Sequence, residues 1–177
     1  MKLKVGNISL ELIQGDIVSQ NDLEAIVNAA NAQLKIGGGV AGAIHRAAGP
    51  GLEKECEPLA PIQVGEAVIT GGHDLPNEYV IHTLGPVYGV DKPEAELLEK
   101  SYKNSLEIAE KNNVESIGFP AISTGAFGYP IEKAAEISLK TVKSKAGQLE
   151  KLKLIRFVLY SNSDFEVYKE KANNIFE

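Results

Sequence analysis

AIVNAANAQLKIGGGVAGAIHRAA, residues 25–48, carries the reading that decides the fold. Ala25-Ile26-Val27-Asn28 is a short apolar run that suits a buried strand, and Gly39–Ala48 predicts a helix. Strand, glycine-rich loop and helix in that order form the unit from which layered α/β proteins are built. Upstream, Lys2–Val5 and Ile8–Ile13 flank Gly6-Asn7 and predict a hairpin. Downstream, a short helix is expected over Leu52–Glu57 and strands over Glu66–Thr70, Tyr79–Leu84, Ser116–Phe119 and Leu154–Tyr160, the last interrupted by Arg156. Leu98, Tyr102, Leu106 and Ala109 recur at helical spacing behind a start signal at Asp91 and Glu94. Pro130 opens a further helix whose face carries Ile131, Ala134, Ala135, Leu139 and Val142. Ser163 and Glu166 have capping-box spacing for a closing helix. The alternation implies a largely parallel sheet, made mixed by the opening hairpin.

The chain has 177 residues and neither a repeat nor a linker, so one domain over residues 1–177 is expected. Its net charge of −6 argues against general nucleic-acid binding, which draws its affinity from neutralised phosphates. That charge says nothing against a small anion held by main-chain amides. Cys56 is the only cysteine, which excludes an intrachain disulfide and points to a reducing, cytoplasmic setting. His45, His73 and His82 lack metal-ligand spacing, so no metal and no cofactor is expected. Met1–Gly6 lacks the apolar stretch of a signal peptide, and no run approaches the ~20 residues of a membrane span. No membrane partner is expected.

Two loops are chemically unusual. In the first, Gly37-Gly38-Gly39 stands immediately before a helix, so main-chain N–H groups and the helix dipole form an anion cradle. In the second, Ser123-Thr124-Gly125-Ala126-Phe127-Gly128-Tyr129 again joins a strand to a helix through small residues. Two such loops in one sheet suggest a diphosphate held from both sides. Gly37-x-Gly39-x-x-Gly42 also matches the dinucleotide fingerprint of Rossmann oxidoreductases. That fingerprint should directly follow its strand, and here Ala32–Ile36 intervenes. The acids at the required distance, Glu57 among them, fall in an expected helix. The Rossmann reading is the weaker one, and no nucleoside-triphosphate P-loop exists.

Six segments together resemble the macro domain family, in its order: Gly15-Asp16-Ile17, Val27-Asn28-Ala29-Ala30-Asn31, Gly37-Gly38-Gly39-Val40, Gly42–Gly49, Ile81-His82-Thr83-Leu84-Gly85-Pro86 and Ser123–Pro130. The resemblance runs from about residue 3 to residue 172. It implies a three-layer α/β/α sandwich with a mixed, mostly parallel central sheet, and binding of ADP-ribose or mono-ADP-ribosylated protein. By the same resemblance Asp16 would accept a hydrogen bond from the adenine amine, and the Ile17 amide would read a ring nitrogen. Tyr160 would lie against the base; its other reading is a core tyrosine. Gly37, Gly38, Gly39 and Val40 would face Ser123, Thr124, Gly125 and Ala126 across the diphosphate. Asn31 would hydrogen-bond the distal ribose and Phe127 would pack on that sugar, the two forming the catalytic set. Asn28 is expected to tie its own loop through side-chain-to-backbone bonds. His82 and Cys56 are read as structural, and His45 as a packing residue.

Members of the family either bind ADP-ribose without chemistry or hydrolyse ADP-ribosyl esters and O-acetyl-ADP-ribose. MacroD-type hydrolases resemble this chain but carry Asp where it has Ala41. Alanine neither takes a proton nor holds a water, so that general-base route is absent. Viral members often have His before the triple glycine, where this chain has Ile36. The resemblance thus implies slow, substrate-assisted hydrolysis, with a non-catalytic reader of ADP-ribose as the alternative.

Overall fold

β3 (Ala25–Ala29) lies inside a seven-stranded sheet, in a computed structural model that describes residues 1–177. The strand order is β1-β2-β7-β6-β3-β5-β4, with β1 at Lys2–Val5, β2 at Ile8–Gln14, β4 at Ala67–Gly71, β5 at Tyr79–Thr83, β6 at Ser116–Phe119 and β7 at Leu154–Leu159. The five inner strands are mutually parallel, and antiparallel pairs close both edges. Their carboxyl ends therefore share one edge of the sheet.

Five helices cover the sheet: α1 (Gly39–Ala48), α2 (Pro50–Cys56), α3 (Glu94–Lys111), α4 (Ile131–Lys145) and α5 (Asn162–Phe176). Side chains alternate across a strand, and here the alternation sorts the layers. Ala25 and Val27 of β3 and Phe157 of β7 enter the larger core with Leu106 of α3, Leu139 of α4 and Tyr168 of α5. Ile26 and Val158 face the other way, onto Ile44 of α1 and Leu52 of α2. The result is an α/β/α sandwich with a mixed sheet. None of its helices is long and apolar enough to cross a membrane.

The differences from the expected elements are local. Asp91 does not start α3; its carboxylate accepts from the Val87 amide at 2.8 Å, and Pro93 precedes the first turn. α5 is capped by Ser161, which accepts from the Asp164 amide at 3.1 Å, rather than by Ser163. β7 ends at Leu159, which leaves Tyr160 beyond the strand and 83% exposed. Tyr160 is therefore not a core residue. One core residue reaches towards the loops. The Tyr102 hydroxyl donates to the Pro120 carbonyl at 3.3 Å and accepts from the Ile122 amide at 3.0 Å, pinning the chain as it leaves β6.

Candidate functional site

The shared carboxyl edge presents its loops in strand order, as open α/β sheets present ligand sites. Asp16 and Ile17 leave β2 and Tyr160 leaves β7. The Ser123–Phe127 loop follows β6, the Asn31–Gly39 loop follows β3, and Gly85 follows β5. At about 4.8 Å per strand, the two ends of this row are roughly 20 Å apart. A cleft of about 320 Å³ opens between the β3 and β6 loops, with Gly85 at its side.

Its walls are main chain. Gly38 caps α1 with no side-chain hydrogen bond, so the amides of its first turn are left to other acceptors. Opposite, Gly128 N–H donates to the Gly125 carbonyl at 3.0 Å and Tyr129 N–H to the Ser123 carbonyl at 2.9 Å, closing a tight turn. The amides of Gly125, Ala126 and Phe127 inside that turn donate to nothing in the protein. Ser123 holds a left-handed φ of 68°, and its buried hydroxyl has no partner. A Cβ on Gly85 would stand 2.1 Å from that hydroxyl, so only glycine fits beside it. A Cβ on Gly42 would meet the Gly37 carbonyl at 2.3 Å; the first loop rests directly on its helix.

None of the 15 residues lining the cleft is ionisable. Ala41 is among them and buried, at the place where a carboxylate would otherwise project. Asn31 is half-buried, and its amide clamps its own loop. Nδ2 donates to the Lys35 carbonyl at 2.8 Å and Oδ1 accepts from the Lys35 amide at 3.0 Å. An amide has two donor hydrogens and two acceptor lone pairs, so one of each stays free for a ligand. Phe127 lines the cleft half-buried, its carbonyl held by the Tyr88 amide at 2.9 Å.

The expected residues divide between two places. Asn31, Gly37, Gly38, Gly39, Val40, Ser123, Gly125, Ala126 and Phe127 all line the cleft. Thr124 does not; its hydroxyl donates to the Ala121 carbonyl at 2.8 Å and braces the turn. Asp16, Ile17 and Tyr160 stand farther along the edge. There Gly15 N–H donates to the Leu159 carbonyl at 2.9 Å and brings the ends of β2 and β7 together. Ala29, Ala30, Gly85, Ala121 and Ile122 also line the cleft and were not singled out as site residues. Ala29, Ala30 and Gly85 stand in the segments that carry the resemblance, whereas Ala121 and Ile122 had position alone as a signal, shortly after β6.

Asn28 does not tie its loop. It faces His82 in the β3–β5 register, with Nδ2 at 3.1 Å from the ring's Nδ1, because both side chains point into the same buried face. His82 Nε2 lies 2.9 Å from Thr70 Oγ1, which donates onward to the Gly71 carbonyl at 3.1 Å. Cys56 Sγ stands 3.8 Å from the same Nε2, and burial pushes its thiol up to about 11. His45 is buried outside the cleft lining, and its Nε2 has no partner. No three His, Cys, Asp or Glu side chains group to hold a metal ion.

Burial, with His45 as a nearby like charge, pushes the His82 imidazole down to about 3. Burial also lowers His45, against a smaller opposing pull from Glu53. Both rings hold a proton less readily in the native state than in the unfolded chain, so the unfolded chain binds more protons below the ordinary value of 6.5. Stability is full above that value and falls as pH drops towards about 3. His82→Gln, which keeps a donor and an acceptor, should therefore flatten melting temperature against pH between about 6.5 and 5, above the carboxylate range. An acid limb of unchanged slope in that variant would assign the loss to other groups.

Comparison with known proteins agrees with this geometry. The family model described as Macro domain matches residues 27–138. An O-acetyl-ADP-ribose deacetylase of Klebsiella pneumoniae is 48% identical over 164 residues, 90% of this chain and 93% of that protein. The ADP-ribose glycohydrolase MACROD2 of Homo sapiens is 46% identical over 170 residues, 94% of this chain and 40% of that protein. Among solved structures, an Oceanobacillus iheyensis macrodomain with ADP superposes with a TM-score of 0.95 at 40% identity, covering 99% of this chain and 96% of that one. With the sandwich, the glycine loops and these relatives in agreement, the chain belongs to the macro domain family.

Proposed function

We propose that this protein binds ADP-ribose along the carboxyl edge of its sheet and slowly hydrolyses ADP-ribosyl esters, or removes the acetyl group of O-acetyl-ADP-ribose. The observation that carries this reading is the pair of amide-lined loops facing each other across a cleft without ionisable groups. Fixed N–H donors suit a diphosphate, which supplies only acceptors and negative charge. Adenine then falls at Asp16, Ile17 and Tyr160, and the distal ribose at Asn31 and Phe127. The printed activities of the Klebsiella and human relatives support the chemistry. One macro domain over residues 1–177 and a reducing, cytoplasmic setting belong to the same reading.

With no acid or base in the cleft, the ligand supplies the proton acceptor. Phe127 packs on the distal sugar while Asn31 fixes its hydroxyls, and a water rests against the diphosphate. The water oxygen bonds to the ribose carbon, the carboxylate leaves with the electrons of the broken bond, and the water's proton passes through a phosphate oxygen to solvent. Rate comes from position and fixed dipoles. The absence of a carboxylate at Ala41 favours one other reading, a reader that binds and does not cleave.

Incubation with protein mono-ADP-ribosylated on acidic side chains, alongside calorimetry with ADP-ribose, separates the two. Release of free ADP-ribose supports the hydrolase. Tight binding without release leaves the reader. Tight binding of NAD with none of ADP-ribose would overturn both; the Rossmann reading is already excluded by the mixed sheet and the family match.

A further inference from the structure

The turn at Asp16 is anchored from beneath by a charge cluster whose inner members, Arg156 and Glu11, are buried and whose outer members, Asp22 and Lys2, are exposed. Arg156, in the middle of β7, points to the same side as Val158, towards α1. Its register partner on β2 is Glu11, and Nε donates to Glu11 Oε2 at 2.7 Å. Nη1 and Nη2 grip both carboxylate oxygens of Asp22 at 2.8 Å each. Nη1 also donates to Gln20 Oε1 at 2.9 Å. Lys2 balances the second carboxylate, 3.4 Å from Glu11 Oε1. A half-exposed cluster of this kind is weak evidence for stability, since solvent screens its outer pairs and apolar residues often serve as well at its inner ones. A fixed conformation is what it can supply, and the conformation in question is that of residues 16–23.

Gln20 carries the link onward. While Oε1 accepts from Arg156, Nε2 donates to the Asp16 carbonyl at 2.9 Å. Asn77 holds the far end, donating through Nδ2 to the carbonyls of Gln20 and Leu23 at 2.8 Å each. The Asp16 carboxylate accepts from the Val18 amide at 3.1 Å through Oδ1, and Oδ2 makes no bond in the protein. With its main chain held by Gln20 and one carboxylate oxygen left open, Asp16 is a reading head, because direction decides which base edge an acceptor can meet. We propose that Arg156, acting through Gln20, is a positioning residue that aims the Asp16–Ile17 turn at the base and so sets selectivity for adenine over guanine. The proposal rests on the placement of adenine given above.

The test compares ADP-ribose with GDP-ribose by calorimetry on the full chain. Both ligands share the diphosphate and the riboses, so general loosening of the protein weakens both and leaves their affinity ratio unchanged. Guanine presents an oxygen where adenine presents its amine. Gln20→Ala cuts the relay while Arg156 keeps both carboxylates, so the variant should fold. Its preference for ADP-ribose should drop about tenfold, the scale of a hydrogen bond to a charged group. Arg156→Lys keeps the charge but loses the fork that reaches Gln20 and Asp22 together, and should show the same drop. Asp16→Ala is the reference. Preference lost in Asp16→Ala but retained in a folded Gln20→Ala overturns the relay alone. Preference retained in both overturns the adenine placement, and the relay with it.

Discussion

Glutamate at Gly38 should abolish ADP-ribose binding while the protein still folds. Gly38 has φ −86° and ψ 179°, extended backbone that any residue adopts, and a Cβ there meets nothing within 4 Å. The new side chain has room, and it lies on the cleft wall. Its carboxylate would stand where the diphosphate is proposed to sit. One like-charge pair at 4 Å costs about 4 kcal/mol at the effective dielectric of a protein surface, enough alone for a loss near a thousandfold. Neighbouring glycines make poorer probes. Gly39 has a φ of 55°, where a side chain is strained, and at Gly42 a Cβ would strike the Gly37 carbonyl. Circular dichroism should match wild type while calorimetry shows no heat of binding. A folded Gly38→Glu protein with normal affinity would remove this loop from the site.

Asn31→Ala should slow cleavage of ester-linked ADP-ribose tenfold to a hundredfold, about 1.4–2.7 kcal/mol, with a smaller loss in affinity for the product. The side chain closes the Asn31–Lys35 turn and keeps a donor and an acceptor free, so its loss affects orientation first. Single-turnover kinetics beside product calorimetry would separate the two effects. Equal losses in rate and product affinity would make Asn31 a binding contact only. Ala41→Asp supplies a carboxylate at the cleft wall and should raise turnover, even though its charge opposes the diphosphate. If wild type and Ala41→Asp both leave the ester intact while binding stays tight, hydrolysis is not the activity.

The alternating α/β order was legible because its signals are local, whereas the three-layer sandwich came from the family resemblance. Leu98, Tyr102, Leu106 and Ala109 mark α3 by spacing alone, and all four are buried. The glycines before Gly39 announce a loop and a helix start, and α1 begins at that residue. What stayed hidden depends on contacts distant in the chain. Asn28 meets His82 only because β3 pairs with β5, and nothing near Asn28 records that partner. Why position 85 must be glycine is visible only once Ser123, 38 positions later, comes within reach of the Cβ it lacks. Arg156 read as an interruption of an apolar strand, whereas it gathers Glu11, Gln20 and Asp22 from the start of the chain. The cap of α5 was missed for a smaller reason: Ser161 and Ser163 are the same residue two positions apart, and only backbone geometry selects one.

The cleft wall without ionisable groups also bears on how the site could be blocked. Electrophilic inhibitors need a thiolate, an amine or an imidazole to attack, and none lines the cleft. Cys56 is buried with its thiol held protonated, and the Ser123 hydroxyl has no base bonded to it. Covalent capture therefore has no handle on this surface. A blocker must succeed reversibly, by fitting the glycine walls closely and aiming acceptors at N–H groups that substitution of a side chain does not remove.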